Sequence, residues 1–195
     1  MIRIAPDDFR TLPLEVHSFL QGVPLHDVSA IDLPATEHDF TLQDLREKMK
    51  SVDVTKSNAL VSALFGLRFL LGKLLGWDNN SGQREPESYM ERITAGHREQ
   101  SSVAPGTMEG AFRLLYIFSN ESLSEIRNAT VHAFLSNALL PTESGYRFYW
   151  AVYVKPVSWI TPVYMSVIDP FRRLIVYPAM LERLRKEWIS MQGIS

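Results

Sequence analysis

The sequence predicts an α+β fold in which an antiparallel sheet packs against a long C-terminal helix. In residues 145–156, apolar and polar side chains alternate and aromatic residues are frequent, which is typical of a strand with one buried face. In residues 161–188, apolar residues recur at helical spacing. Because strand side chains point alternately to opposite sides, one face of this strand carries Tyr146, Phe148, Trp150, Val152 and Val154. The helix is expected to pack on that face.

Length and composition limit the chain to a few broad classes. A chain of 195 residues fits a single domain, here 1–195, with one sizeable core. The lack of cysteine excludes disulfides, thiolate nucleophiles and cysteine-ligated zinc. A formal net charge of -2 gives no basic surplus for phosphate groups, so we expect no nucleic-acid partner. Asp7 and Asp8 lie where an export signal would be apolar, which favours a cytoplasmic protein.

The N-terminal half is predicted to contain two helices that follow an extended segment. Residues 1–40 hold four prolines and an apolar run at 28–33, so we expect an extended segment with one short strand. Thr41, followed three residues later by Asp44, is typical of a helix N-cap and predicts a helix over 42–50.

The apolar segment 59–77 predicts a second helix that ends at Gly76. Arg68 and Lys73 within it oppose stable membrane insertion. Residues 77–110 are polar and are expected to form a long excursion with a short helix around 86–93. Loops of this length are commonly lids, binding loops or inserts without a role.

From residue 110 the period of the pattern changes to two. Phe112, Leu114, Tyr116 and Phe118 occupy alternate positions, and residues 119–122 supply a turn. A longer strand over 125–140 and a turn over 141–145 lead into the aromatic strand. Strands joined in this way form an antiparallel meander.

The C-terminal helix is expected to begin at Pro162, with Thr161 as its N-cap. Pro170 and Pro178 each remove a backbone donor, so the helix should bend or break at both. The cationic side chains of the helix are expected to form its solvent-exposed face. They are Arg172, Arg173, Arg183, Arg185 and Lys186.

The order of two helices, an antiparallel meander and a long C-terminal helix resembles the helix-grip fold of the START-like and polyketide-cyclase-like (SRPBCC) superfamily. Residues 166–176, with the sequence SVIDPFRRLIV, resemble the C-terminal signature of a bacterial family within it, domain-of-unknown-function family 2867. The resemblance covers 110–188 well and 42–76 loosely. It implies a curved antiparallel sheet wrapped around a long C-terminal helix, with two shorter helices in the N-terminal half. It implies no particular reaction.

A helix-grip fold implies a cavity, because a curved sheet cannot close its core everywhere along one helix. Such a cavity suits a small hydrophobic or amphipathic ligand. The candidate ligand-binding residues are strand side chains that we expect on one face, together with two residues of the helix. They are Tyr116, Phe118, His132, Phe134, Phe148, Trp150, Tyr164 and Ile168. Core packing without a ligand is the competing explanation for each aromatic residue.

His132 is the best single candidate for acid-base catalysis, because histidine titrates near neutral pH. Tyr116 is the second catalytic candidate, whereas Arg127 is expected on the strand face opposite His132. The histidines lack the spacing of a zinc site, and nucleophile-elbow, phosphate-loop and Rossmann motifs are missing. We therefore expect no metal and no cofactor.

Three functions remain open at this point. The leading hypothesis is a protein that binds a small hydrophobic or amphipathic ligand. The second is a cyclase- or dehydratase-like enzyme that uses His132 and Tyr116 on a bound carbonyl compound. The third is docking of a protein partner or a membrane through residues 59–77, and a homodimer is a further option.

Overall fold

Seven strands form one antiparallel sheet in the computed structural model, which describes residues 1–35, 39–50, 66, 86–128 and 131–192. The strands are β1 (Ile2–Arg3), β2 (Leu25–Pro34), β3 (Met108–Glu109), β4 (Phe112–Ile117), β5 (Glu121–Arg127), β6 (His132–Thr142) and β7 (Gly145–Lys155). Their order across the sheet is β1-β2-β7-β6-β5-β4-β3. β4 to β7 form an antiparallel meander where one was predicted, β3 adds an edge strand that was not predicted, and β2 pairs with the last strand.

Six α-helices are described, with one 3₁₀ turn and one π-helical segment. They are α1 (Pro6–Arg10), α2 (Val16–Phe19), α3 (Leu42–Lys50), α4 (Ala95–Gln100), α5 (Ile160–Phe171), α6 (Tyr177–Gln192), the 3₁₀ turn Tyr89–Arg92 and the π segment Arg172–Val176. We call the continuous run of α5, the π segment and α6 the C-terminal helix. The α+β class, with an antiparallel sheet against a long C-terminal helix, is confirmed.

The helix predicted over 42–50 is α3, with the same bounds. Thr41 and Asp44 make the predicted cap. The Asp44 backbone N–H donates to the Thr41 hydroxyl at 3.2 Å, and the Thr41 N–H donates to the Asp44 carboxylate at 2.8 Å. The helix predicted over 59–76 lies outside the described residues, apart from Gly66, which is helical.

One face of the sheet packs against the C-terminal helix, as the alternation in β7 predicts. Phe148 is buried beneath α6 with Trp188, whose indole N–H donates to the Pro34 carbonyl at 2.6 Å. Val152 is buried beneath α5 and the π segment. Trp150 lies between these two groups and packs against both.

The opposite face of the sheet is covered by α1, α2 and part of residues 86–93. Phe9, Phe19 and Tyr89 are buried there against the strands. Residues 1–40 were expected to be an extended segment with one short strand over 28–33; that strand lies within β2, and the segment also supplies β1, α1 and α2. Pro6 begins α1, where the missing N–H breaks no helical hydrogen bond.

The described part of the predicted 77–110 excursion also packs against the sheet. It contains the 3₁₀ turn, α4 and β3, and it buries Tyr89 and Ile93. Residues 77–85 lie outside the described residues. From residue 86 onward, the segment therefore packs against the sheet and does not form a long loop that projects away from it.

The strand predicted over 125–140 is divided into β5 and β6. The Asn128 side chain accepts a hydrogen bond from the Val131 N–H at 3.1 Å, and the Asn128 N–H donates to the Val131 carbonyl at 3.0 Å. These bonds close a turn. Arg127 and His132 are then directly paired across two strands. The expectation that they lie on opposite faces is wrong, since paired residues share a face.

A two-residue turn sets the register between β6 and β7. Thr142 pairs with Gly145, so Glu143 and Ser144 alone connect the strands. As a result, even-numbered residues of β7 lie opposite odd-numbered residues of β6. Gly145 has a φ of 137°, and a Cβ at this position would collide with the Leu33 carbonyl oxygen of β2.

The C-terminal helix continues past both internal prolines. Pro170 lies inside α5 and Pro178 lies in the first turn of α6. Between them the helix adopts the π pattern over Arg172–Val176. The predicted break is therefore replaced by a π-helical turn, a common way of accommodating lost backbone hydrogen bonds.

The outward sides of the two halves of this helix differ. Trp159, directly before α5, is 78% exposed and Leu174 is 76% exposed, whereas α6 exposes Arg185 and Lys186. Within the described part of the chain, no helix is both long enough and apolar enough to cross a bilayer.

Candidate functional site

A cavity of about 190 Å³ lies between the sheet and the first half of the C-terminal helix. Its walls include Ala133, Trp150 and Val152 from the strands. Tyr164, Met165 and Ile168 of α5 line the opposite wall. Most of this surface is apolar, and the polar residues of the lining include Asn128, Arg172 and Tyr177.

The size of the β7 side chains explains where the cavity lies. Beneath α6, Tyr146 and Phe148 fill the space between sheet and helix. Beneath α5, the same face of β7 carries Val152 and Val154, and the neighbouring strand contributes Ala133. The shorter side chains leave room that the aromatic residues occupy at the other end of the helix.

Arg172 forms the polar end of the cavity. Its Nη1 donates to Asp169 at 2.9 Å, and its Nη2 donates to Asp27 of β2 at 3.2 Å and to the Tyr177 hydroxyl. Arg172 is 7% exposed, so its expected place on the solvent face is wrong. The π segment begins at Arg172, and two buried or partly buried carboxylates balance its charge.

The protonation of this polar end is firmly set. Burial alone would lower the pKa of Arg172, but Tyr177, Asp27 and Asp169 raise it above its usual value. Burial also raises the pKa of the Tyr177 hydroxyl above its usual value. The cavity therefore presents a charged, paired guanidinium and a neutral phenol.

Two buried polar atoms beside Arg172 have no hydrogen-bond partner among the described residues. They are the Trp150 indole Nε1 and the Asp27 carboxylate Oδ1. The Trp150 and Tyr177 rings are 6.0 Å apart, and the indole N–H lies close enough to the Tyr177 hydroxyl to lower its pKa but does not reach full hydrogen-bond geometry. Buried polar groups in native proteins are nearly always paired, so these two atoms call for a partner.

His26, Asp27 and Asp169 bring three ligand atoms within 4.8 Å of one another. This cluster does not fit a divalent cation, because Arg172 and Arg173 each form ion pairs with both carboxylates. His26 Nε2 also lies 2.5 Å from Asp169 Oδ2. Two positive and two negative side chains already balance the site, so it ties α5 and the π segment to β2.

The chain matches the model of a family described as protein of unknown function (DUF2867) over residues 19–179. It belongs to DUF2867. The match spans β2 to β7, the cavity and residues 166–176, and it begins nearer the N-terminus than the resemblance in the sequence suggested. Comparisons with curated proteins and with solved structures found no match.

The DUF2867 fold separates the predicted ligand-binding residues between the two faces of the sheet. Phe134, Trp150, Tyr164 and Ile168 belong to the cavity lining. Phe148 shares the face of the C-terminal helix but packs beneath α6. Tyr116, Phe118 and His132 pack on the opposite face, where the Phe134 ring also contacts His132 and Tyr89.

The expectation of one shared face is therefore wrong, for two geometric reasons. The turn at Glu143 and Ser144 pairs Phe134 with Tyr153 and Trp150 with Asn137. Because paired residues share a face, Phe134 and Trp150 point to opposite faces of the sheet. In β4 the pairing with β5 shifts between Leu114 and Tyr116, so these residues face opposite sides despite their spacing of two. Whether each predicted residue binds a ligand stays a prediction.

His132 forms a buried pair with Glu125. The His132 Nε2 lies 3.0 Å from Glu125 Oε2, to which the Tyr89 N–H also donates at 3.0 Å, and the Ser88 hydroxyl donates to Oε1. Burial alone would raise the pKa of Glu125, but hydrogen bonds from His132, Ser88 and Tyr89 hold it below the usual value. The pair anchors the segment that covers this face.

Tyr116 interacts with a different carboxylate. Its hydroxyl donates to Glu121 Oε2 at 3.3 Å, and the backbone N–H groups of Glu15 and Val16 donate to Glu121 at 2.5 and 3.2 Å. Burial raises the pKa of Glu121 and, with the Glu121 charge, that of Tyr116. Neither Tyr116 nor His132 lines the cavity, so the structure does not join them as an acid-base pair there.

Sequence reasoning missed Asp27, Arg172 and Tyr177 as parts of one site. The signal that could have suggested Arg172 is its place in residues 166–176, two residues after a proline within a helix. Asp27 offered no comparable signal, because it lies 145 residues away from Arg172. Only the pairing of β2 with β7 brings them together.

Proposed function

We propose that this DUF2867 protein binds a small hydrophobic or amphipathic molecule between its sheet and the first half of its C-terminal helix. The observation that carries the proposal is the apolar cavity of about 190 Å³ beneath α5. Closely packed interiors rarely leave voids larger than a water molecule, so a hollow of this size is a natural binding site.

The cavity volume points to a ligand about the size of one ring. A cavity of roughly 150 Å³ lined by apolar side chains is enough to bind benzene, whereas drug-sized ligands occupy roughly 300–1,000 Å³. A ligand of single-ring size fits the present cavity better than a sterol or a fused polycyclic compound does.

Two features of the fold support the same proposal. The π segment, a kind of helical irregularity that often marks functional sites, supplies Arg172 and Val176 to the cavity wall. The pairing of β2 with β7 and the C-terminal helix on one sheet face also support kinship with the helix-grip SRPBCC superfamily. That kinship is part of the proposal.

Calorimetric titration with toluene, a single-ring probe, tests the proposal. Ala133→Leu should fill the cavity from the sheet side and weaken toluene binding at least tenfold. Ala179→Leu is the matched control, because Ala179 is exposed on α6. Unchanged toluene affinity in Ala133→Leu, or wild-type protein that binds no ring-sized apolar probe, would contradict the proposal.

A further inference from the structure

One hydrogen-bond donor of the cavity lining, and one acceptor on a residue that pairs with the lining residue Arg172, are left unpaired by the described residues. The donor is the Trp150 indole N–H and the acceptor is Asp27 Oδ1. The Asp27 side chain is 6% exposed, so bulk water does not freely solvate it. Ser29 of β2 pairs with Trp150, which places Asp27 two positions away along the same strand face.

A third unpaired atom lies in the neighbouring strand. Asn137 of β6 is directly opposite Trp150, and its amide oxygen has no partner in the described parts of the chain. Residues paired in this way project to the same side of the sheet. Trp150 therefore stands between two acceptors, Asp27 and Asn137, on the face that bears the C-terminal helix.

The charges around these atoms are already balanced. Asp27 and Asp169 carry two negative charges, and Arg172 and Arg173 carry two positive charges in contact with them. A ligand carboxylate would find the Arg172 guanidinium already paired with two carboxylates, and a ligand ammonium would meet that guanidinium. Either ion would be desolvated without a free counter-charge.

We infer that the ligand carries an uncharged head group with a hydrogen-bond acceptor, such as a hydroxyl or a primary amide, against the Trp150 indole N–H, which lines the cavity. The inference rests on the proposed function and specifies the ligand class of the same cavity. The apolar remainder, about one ring in size, lies among Val152, Met165 and Ile168.

Calorimetric titration with four compounds that share one ring tests the inference. Toluene has no polar head, benzyl alcohol has a neutral one, and benzoate and benzylamine are ionic. Benzyl alcohol should bind wild-type protein about two- to tenfold more tightly than toluene, the effect of about one net hydrogen bond. Both ions should bind more weakly than toluene.

Two matched tryptophan variants locate the head group. Trp150→Phe keeps an aromatic ring but removes the indole donor, so the ratio of benzyl alcohol to toluene affinity should fall toward one. Trp159→Phe makes the same change at a residue that is 78% exposed, and the ratio should stay at its wild-type value. The ratio within each variant corrects for any change in cavity size.

The outcomes separate the inference from the proposed function. Equal affinity for toluene and benzyl alcohol in wild-type protein would overturn the head-group inference and leave the cavity proposal standing. Tightest binding of benzoate would also overturn it, in favour of an anion against Arg172. If none of the four compounds binds, the proposed function itself fails.

Discussion

The two faces of the sheet use buried polar groups in different ways. On the face covered by α1, α2 and residues 86–93, Glu121 and Glu125 accept hydrogen bonds from the backbone of the covering segments. On the face of the C-terminal helix, Trp150 lines a cavity with an indole N–H left unpaired within the described chain, and Asp27 pairs with the lining residue Arg172. The first face uses two of its acids to hold the covering segments, although His17, His132 and Ser136 also keep buried atoms there that no described residue pairs, and the second face has a cavity beside its polar groups.

This difference follows from how each face is closed. The first face is covered by several short segments with few side chains each, so carboxylate anchors supplement apolar burial. The second face is covered by one long helix whose aromatic partners are concentrated beneath α6. Mutations on the first face should therefore act on stability, and matching mutations around the cavity should act on binding.

The largest effect should come from Glu125→Ala. This change leaves the Tyr89 N–H and His132 buried without their acceptor, which should lower the free energy of unfolding by about 3–5 kcal/mol. Urea denaturation measures it, with Glu143→Ala at an exposed turn as the control. If the free energy of unfolding falls no more in Glu125→Ala than in the control, Glu125 does not anchor the segment that covers the first face.

Replacing either of two alanines on opposite faces of the sheet by leucine should change the free energy of unfolding by different amounts, and this difference should be of intermediate size. Ala151 is fully buried on the first face, so Ala151→Leu should overpack it and cost about 1–3 kcal/mol. Ala133 lines the cavity, so Ala133→Leu should change the free energy of unfolding by less than about 1 kcal/mol. Equal losses in parallel urea denaturations would mean that the two faces are equally filled.

The smallest effect should come from pH. Because the folded-state pKa of Glu125 is lowered, its stabilising effect is present above the usual glutamate pKa of about 4.3 and is lost as pH falls below it. Glu121 has a raised pKa, so its effect is present at low pH and is lost as pH rises through its folded-state value.

Unfolding free energies measured from pH 7 to pH 3 check this contrast. The loss in unfolding free energy caused by Glu125→Gln should shrink on acidification. The corresponding change for Glu121→Gln should move the other way, with the wild type gaining stability over the variant as pH falls. Parallel pH profiles for the two variants would show that the two carboxylates are not in opposed environments.

Local signals in the sequence predict local structure well in this protein. Thr41 and Asp44 predict the start of α3 because the cap needs only residues close in sequence. The alternation over 146–154 likewise predicts which side of β7 meets the C-terminal helix. Both predictions depend on contacts within one element or between neighbouring elements.

The site depends on relations between distant strands, which alternation within a strand does not determine. The two-residue turn at Glu143 and Ser144 decides that Phe134 and Trp150 face opposite sides. The register shift near Leu115 likewise places Tyr116 on the face away from the C-terminal helix. The burial of Arg172 requires Asp27, whose approach depends on the pairing of β2 with β7.

Methyl NMR during a toluene titration tests the central claim most directly. We predict chemical-shift changes for the methyl groups of Val152, Met165 and Ile168, which line the cavity, and no change for Val16 and Leu123 on the other face. Changes at Val16 and Leu123 without changes at the cavity methyls, or no response anywhere at saturating toluene, would contradict it.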